Sequence, residues 1–267
     1  MDSFWTAPSP EPKIIAETSL YLVAYKPPRI HTAPLIPGEG GTLLDWAGRI
    51  YPEVLAPLGR ISREGGLLHR LDYETHGLVL LARTPAAMGA LLDQQKQDRI
   101  VKEYLAASAG VGRIVPGFPP FPRTRAEERT VVSAFRPYGR GRREVRPVLP
   151  GPGRTMYQTG VVSCGENNRK PGAPRDGELR QNREFREPPQ EENCLFRLRI
   201  SRGYRHQIRC HLAWAGWPII NDGLYGGKSD GGFLGLMAAA LEFTDPGTGE
   251  RRRYDGSSGM FRSSPAR

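Results

Sequence analysis

Cysteine is scarce in this 267-residue chain. Cys164, Cys194 and Cys210 lie far apart, with no CxxC and no metal-ligand spacing. An odd, unframed set argues against a disulfide scaffold and for a reducing, intracellular compartment. Long apolar runs are missing too. None approaches the roughly 18 residues that suggest a membrane helix, and the first five residues lack the basic and apolar regions of a signal peptide. The expectation is a soluble, cytoplasmic protein. Apolar residues make up only 38%, while 32 Gly and 25 Pro are many, so part of the chain reads as loop or flexible segment. Acidic residues are outnumbered, 28 against 38 basic ones, leaving a formal charge of +10. That balance predicts a polyanionic partner, most simply nucleic acid. An anionic membrane is the competitor, but no basic amphipathic helix supports it.

Organisation follows from the pattern of runs and breakers. Residues 1–18 read as a flexible N-terminal tail, Pro-rich up to 13, and 251–267 as a flexible C-terminal one. A single domain is expected over 19–250. Ser19 to Tyr25 reads as a strand ended by Lys26-Pro27-Pro28, and Thr42 as the cap of a helix. Leu78 to Arg83 is a buried-strand run. Ala87, Met88, Leu91 and Leu92 give helical spacing over 85–97, and Val101 to Ala106 reads as the next strand. Residues 111–190 hold 16 Lys and Arg against 8 Asp and Glu, so +8 of the +10 lies there. Within them, strand-like runs at 130–135 and 156–162 flank an Arg-rich turn, Arg136 to Arg146. Residues 165–192 are polar and Gly/Pro-rich, which predicts a flexible insertion. Cys194 to Ile200 reads as a half-buried strand and Ile208 to Ala215 as a helix. The small, apolar segment 233–243 closes the core.

Chemistry concentrates in four strings. The most informative is His69-Arg70-Leu71-Asp72-Tyr73-Glu74-Thr75-His76-Gly77, a polar turn with a carboxylate before a buried strand. The others are Lys102-Glu103-Tyr104; Arg202-Gly203-Tyr204-Arg205-His206-Gln207-Ile208-Arg209-Cys210-His211-Leu212, continuing through Gly216 to Asp222 and Leu224-Tyr225-Gly226; and Leu234 to Phe243. Residue by residue, plainer readings stay open. Arg70 and Asp72 fit a surface ion pair, His69 a packed core histidine, Tyr104 and Leu236 core positions, and Arg209 a solvated helix residue. His206 and His211 are five apart, off the one-face spacing of a helix, so no metal site is predicted.

Taken in order, these strings resemble the RluA-type family of pseudouridine synthases. The family pattern reads His-Arg-Leu-Asp-x-x-Thr-Ser-Gly, Lys-x-Tyr, Gly-Arg-Thr-His-Gln-Ile-Arg-x-His-Leu, then Gly-x-Pro-Ile-x-Gly-Asp with Tyr-Gly. Tyr25-Lys26-Pro27-Pro28 is similar to its early Asn-Lys-Pro segment. The resemblance implies an α+β fold on a mixed, mostly antiparallel sheet, with a central active-site cleft flanked by helices and loops. It implies an RNA uridine isomerase needing neither cofactor nor metal, acting on ribosomal or transfer RNA, and a monomer is the simplest state. Asp72 would be the nucleophile. Arg209 would pair with it and hold it ionised. Tyr104 would stack on the base and take part in proton transfer at C5. Arg70 would fill the gap left by the flipped nucleotide. His69, Thr75, His76, His206, Gln207 and Leu236 would line the substrate, Leu236 as a wall. The chain departs from the pattern at His76 (serine in the family), at Gly203-Tyr204-Arg205, at Asn221 and at Met237. A titratable His76 would touch RNA or alter the turn.

The Arg-rich turn reads as an RNA-backbone loop, with Arg136, Arg140, Arg142, Arg143, Arg146 and Arg205 as phosphate contacts. Arg and Tyr can also stack on unpaired bases. Two competing functions are a non-catalytic RNA-binding protein that keeps the fold, and a hydrolase that releases free uracil.

Overall fold

An unbroken apolar and aromatic run closed by Pro27-Pro28 makes a strand buried at every residue, Tyr21–Lys26. The computed structural model describes residues 8–56, 62–109, 115–122, 130–166, 193–227, 229 and 231–256. Along the chain its strands are β1 (Lys13–Glu17), β2 (Tyr21–Lys26), β3 (His76–Ala82), β4 (Val101–Ala109), β5 (Thr130–Tyr138), β6 (Glu144–Val148), β7 (Tyr157–Glu166), β8 (Asn193–Ile200), β9 (Leu236–Thr244) and β10 (Arg251–Asp255). The helices are α1 (Leu43–Ile50), α2 (Pro85–Lys96) and α3 (Gln207–Trp214). Where the sequence suggests one domain, the chain divides into two units, Ser3–Glu103 with Met237–Arg267, and Tyr104–Leu236.

In the first unit β2 lies antiparallel to β1 and β3, and β3 runs parallel to β9 through His76↔Met237 and Gly77↔Ala238. Gly77 is required at that contact. Its φ is +121°, and a Cβ there would stand 2.2 Å from the Ala238 carbonyl oxygen. Helix α1 begins at the expected cap. The Asp45 N–H donates to Thr42 Oγ1 and the Thr42 N–H to Asp45 Oδ2, both at 3.1 Å, a reciprocal capping box. Thr84 caps α2 one-sidedly, its Oγ1 accepting the Ala87 N–H at 3.2 Å. The core joins Tyr21, Val23, Leu78, Leu80, Leu91 and Phe243. Each such side chain contributes about 1.5–3 kcal/mol on burial.

Both expected tails are shorter than their composition suggests. Lys13–Glu17 pairs with β2, and Arg251–Asp255 pairs antiparallel with β9. Charged side chains at such strands stay outward while backbone pairing holds the segment, so polarity alone misreads them as tails.

In the second unit the strand order is β4-β8-β7-β5-β6, and the β8–β7, β7–β5 and β5–β6 pairs are antiparallel. The sheet pairs are therefore mixed and mostly antiparallel, with few helices, as an α+β reading expects. A second core gathers Phe118, Val131, Val145, Cys210, Trp214 and Tyr225. The Arg-rich turn is itself largely strand, a difference from the sequence reading. Arg136 faces Arg146 and Tyr138 faces Glu144 in the β5–β6 ladder. Its tip turns through Gly139 (φ 77°) and Gly141 (φ 67°), conformations that cost a glycine little. Gly165 and Glu166, expected to open the insertion, lie in β7 opposite Leu195 and Cys194. The rest of that insertion, 167–192, is outside the described residues. No helix among the described residues is long and apolar enough to cross a membrane.

Candidate active site

The Asp72 turn is short because the chain must reverse into β3. The Thr75 N–H donates to the Asp72 carbonyl at 3.1 Å, which closes a four-residue turn. A second loop, after β2, zips onto it. Thr32 Oγ1 donates to the Leu71 carbonyl at 2.9 Å and accepts from the Leu71 N–H at 3.0 Å. The Arg29 N–H donates to the Tyr73 carbonyl at 2.8 Å, and the His31 and Tyr73 rings meet at 4.8 Å. Lys26 completes the zip from below. Its fully buried Nζ donates to the carbonyls of Pro27 (2.9 Å), Ile30 (2.8 Å) and Tyr73 (3.3 Å). Burial lowers its pKa to about 7, against the pull of Asp72 and Glu74 toward the charged form. The result is a partly exposed Asp72 on a backbone held at both ends.

The histidines of this turn are structural groups. His69 Nε2 accepts the Leu80 N–H at 3.3 Å, pinning the turn to β3, so Nδ1 carries the proton of the neutral ring. Burial, then the nearby Lys102, lowers its pKa to about 3. His76 opens β3 with no exposed surface, and burial with the Lys26 charge lowers it to about 3 as well. This corrects the expectation that His76 touches RNA: the position faces the core, where the chain has replaced a small hydroxyl by a neutral imidazole. Thr75 is buried, its Oγ1 without a hydrogen-bond partner among the described residues. Arg70 is half exposed and pairs with Glu64 at 3.1 Å. The acid that Arg70 pairs with is thus Glu64, ahead of the motif, where the sequence allowed Asp72.

Helix α3 builds the second half of the constellation inside its own unit. Arg209 is buried and bidentate: Nε donates to Asp222 Oδ2 and Nη2 to Oδ1, each at 2.8 Å. Its guanidinium lies 5.5 Å from the Tyr225 ring centroid. Asp222 Oδ1 also accepts the N–H groups of Leu224 (3.0 Å) and Tyr225 (3.2 Å). The reading of Arg209 as a solvated helix residue is therefore wrong. The missed residue is Asp222, present in the sequence as the Asp of the Asn221-Asp222 string, a signal that carried no role there.

The remaining predicted residues divide between packing and surface. Gln207 is buried, with its amide donating to the Gln158 carbonyl (2.9 Å) and Thr159 Oγ1 (3.1 Å) and accepting the Tyr204 N–H (2.9 Å). A substrate contact is replaced by a helix-to-strand tie. His206 takes a left-handed conformation (φ 55°) at the start of α3, with Nδ1 3.1 Å from the Tyr225 hydroxyl. His211 hydrogen-bonds Ser133 Oγ (2.9 Å) and Thr159 Oγ1 (2.8 Å), and burial lowers its pKa to about 3. Tyr104 and Leu236 are both buried. Among the described residues no His/Cys/Asp/Glu group is arranged to hold a metal.

On the hairpin, Arg136, Arg140, Arg142 and Arg143 are exposed. Arg146 instead lays its guanidinium 3.1 Å from the Tyr138 ring centroid. Arg205 donates to the carbonyls of Arg142 and Glu144, the latter at 3.2 Å. Arg146 thus braces the hairpin from within, and Arg205 from outside it.

A family model described as RNA pseudouridylate synthase matches residues 21–214. An uncharacterized RNA pseudouridine synthase from Chloroflexus aurantiacus is 30% identical over 229 residues, which is 84% of this chain and 58% of that protein. Ribosomal large subunit pseudouridine synthase D of Yersinia pestis is 26% identical over 227 residues, 85% of this chain and 56% of that one. The chain thus spans a little over half the length of these curated relatives. Among solved structures, human RNA pseudouridylate synthase domain containing 1 aligns with a TM-score of 0.55 at 19% identity, covering 92% of this chain and 82% of that one. Human RNA pseudouridylate synthase domain containing 4 gives 0.52 at 17%, covering 91% and 87%. At those identities the likeness is one of fold.

Proposed function

The chain belongs to the RNA pseudouridylate synthase family, and from that premise we propose that it converts a uridine in RNA to pseudouridine. The N1–C1′ bond of the nucleoside breaks, a C5–C1′ bond forms, and the C5 hydrogen leaves while N1 gains a proton; atoms balance without a co-reactant. Asp72 is the nucleophile, attacking the uracil ring or the ribose C1′. The observation that carries this reading is the Asp72 turn itself. Asp72 is partly exposed while its backbone is fixed by Thr32, Lys26 and Thr75, which is how a reacting group is held in aim without being buried.

Arg209, its plane set by Asp222, gives the reaction a fixed cation. Tyr104 stacks on the base and assists proton transfer at C5. Arg70 is supplied to RNA by release from Glu64, an exchange that costs little because the arginine is half exposed. The target is read as ribosomal RNA, since relatives carry the name ribosomal large subunit pseudouridine synthase; transfer RNA is the alternative. The same reading makes the protein a cytoplasmic monomer.

Incubating the protein with cellular RNA and analysing the nucleosides tests it. New pseudouridine that disappears with Asp72→Asn, while RNA binding persists, is the expected result. Full turnover by Asp72→Asn would overturn the mechanism. Release of free uracil would make the protein a glycosidic hydrolase, and binding without any product would make it a non-catalytic RNA-binding protein.

A further inference from the structure

The hairpin from Arg136 to Arg146 carries five arginines and one glutamate within eleven residues, yet it is anchored in the core rather than loose. Val145 has no exposed surface and belongs to the aromatic core of the second unit. Its N–H donates to the Tyr225 hydroxyl at 2.9 Å, and that hydroxyl lies 3.3 Å from the Val145 carbonyl. Cys210 Sγ, on α3, reaches the same carbonyl at 3.6 Å. From the outside, Arg205 staples the tip through the Arg142 and Glu144 carbonyls. A segment held at two points keeps its exposed arginines in one arrangement, so less ordering entropy is lost when an anion binds.

Tyr225 is the residue that several of these contacts share. Its hydroxyl holds the hairpin and neighbours His206 Nδ1. Its N–H caps Asp222, and its ring faces Arg209. Burial raises the phenol pKa, so the hydroxyl keeps its proton. On the hairpin's outer side Tyr138 is 38% exposed, with the Arg146 guanidinium at 3.1 Å and that of Arg136 at 5.8 Å from its ring centroid. A half-exposed ring braced by cations and flanked by exposed arginines suits a strand with free bases and phosphates. Every base offers a face for stacking, which a closed duplex withholds.

We propose that the β5–β6 hairpin is a docking surface for an unpaired RNA strand, and that the Tyr225 hydroxyl is the positioning contact that keys this surface to the Arg209–Asp222 pair. The proposal rests on the RNA-isomerase reading and extends it to the form of RNA grasped outside the reacting nucleotide.

The test is fluorescence anisotropy of the full chain with a labelled oligouridine, a duplex RNA of equal length and heparin, over a salt series. Arg140→Gln with Arg143→Gln should weaken oligouridine binding about tenfold or more and reduce the slope of log affinity against log salt by roughly 1.4, about 0.7 per lost single-strand phosphate contact. Tyr138→Ala should cost oligouridine about fivefold or more and leave duplex binding unchanged. Tyr225→Phe, with an unaltered far-ultraviolet spectrum, should weaken oligouridine severalfold without changing the salt slope. That effect should vanish in the Arg140→Gln/Arg143→Gln background, because the hydroxyl acts through the hairpin. Equal losses for oligouridine, duplex and heparin would overturn the strand preference and leave a general polyanion surface. A Tyr225→Phe effect that stays additive with the arginine changes would overturn the keying role. Pseudouridine formation by the same preparations separates this proposal from its premise. Turnover with unchanged hairpin binding fails the docking surface alone, whereas hairpin effects without turnover fail the catalytic reading alone.

Discussion

Asp72 lies partly exposed on its turn, whereas Asp222 is 1% exposed and spends its oxygens on Arg209 and two backbone N–H groups. In the sequence Asp72 stands in a polar turn before an apolar run, and Asp222 closes an apolar run. What separates their tasks is which part is fixed. Around Asp72 the backbone is clamped by Thr32, Lys26 and Thr75 while the residue stays partly exposed. Around Asp222 the side chain itself is the clamp. A nucleophile must be reachable, and a buried ion pair must be saturated with partners. A chain can meet both needs only at different positions.

Exchanging the two aspartates for uncharged residues separates reactivity from architecture most sharply. Asp72→Asn should lower product formation by a factor of about a thousand or more, with thermal unfolding hardly moved. Asp222→Ala should act on architecture first, and on product formation through the Arg209 that it holds. It leaves the Arg209 cation buried without its carboxylate, a loss of about 3–5 kcal/mol, visible as a fall in Tm on the order of 10 °C. A Tm unchanged by Asp222→Ala would mean that the pair does not hold the second unit together.

The histidines sharpen the comparison along the pH axis. His69, His76 and His211 are held neutral, with pKa values lowered by burial to about 3. An unfolded histidine titrates near 6.5, so between those values the unfolded chain binds protons that the native chain refuses. Stability is therefore complete above about 6.5 and falls as the pH drops toward 3. Replacing one of the three, as in His76→Ser, should make that fall shallower by up to about 1.4 kcal/mol per pH unit in urea titrations at stepped pH. An identical slope in wild type and variant would show that His76 is protonated in the native state. The smallest effect belongs to the Arg70–Glu64 pair of the first unit, whose arginine is half exposed. Glu64→Gln should change stability by less than about 1 kcal/mol, because Arg70 remains solvated without it.

Much of the architecture is legible in the sequence. The strand before Pro27, the Thr42 cap, the buried run after Gly77 and the α2 periodicity all appear where local preference and tertiary packing agree. The missed elements, β1, β6 and β10, are polar or arginine-rich segments whose pairing depends on a neighbouring strand rather than on their own composition. The site shows the same division. The identity of Asp72 as a marked residue came from its string, but the neighbours that fix it, Lys26 and Thr32, are some forty residues away in the chain. Likewise Gln207 and His76 stood among contact residues by motif alone, and burial turned both into internal ties and fillers.

What the sequence by itself determined is the family, the basic balance of the chain, the strand and helix runs and the short list of residues around which chemistry could be built. Those properties are local, encoded in composition, periodicity and ordered motifs. What only the tertiary structure decided is the state of each residue on that list: a clamped but reachable Asp72, a buried Asp222 saturated by Arg209, three neutral histidines and an arginine hairpin rooted through Val145 and Tyr225. Exposure, dielectric surroundings and hydrogen-bond partners come from segments distant in the chain, and those surroundings decide whether a charged side chain reacts, braces a neighbour or meets a ligand.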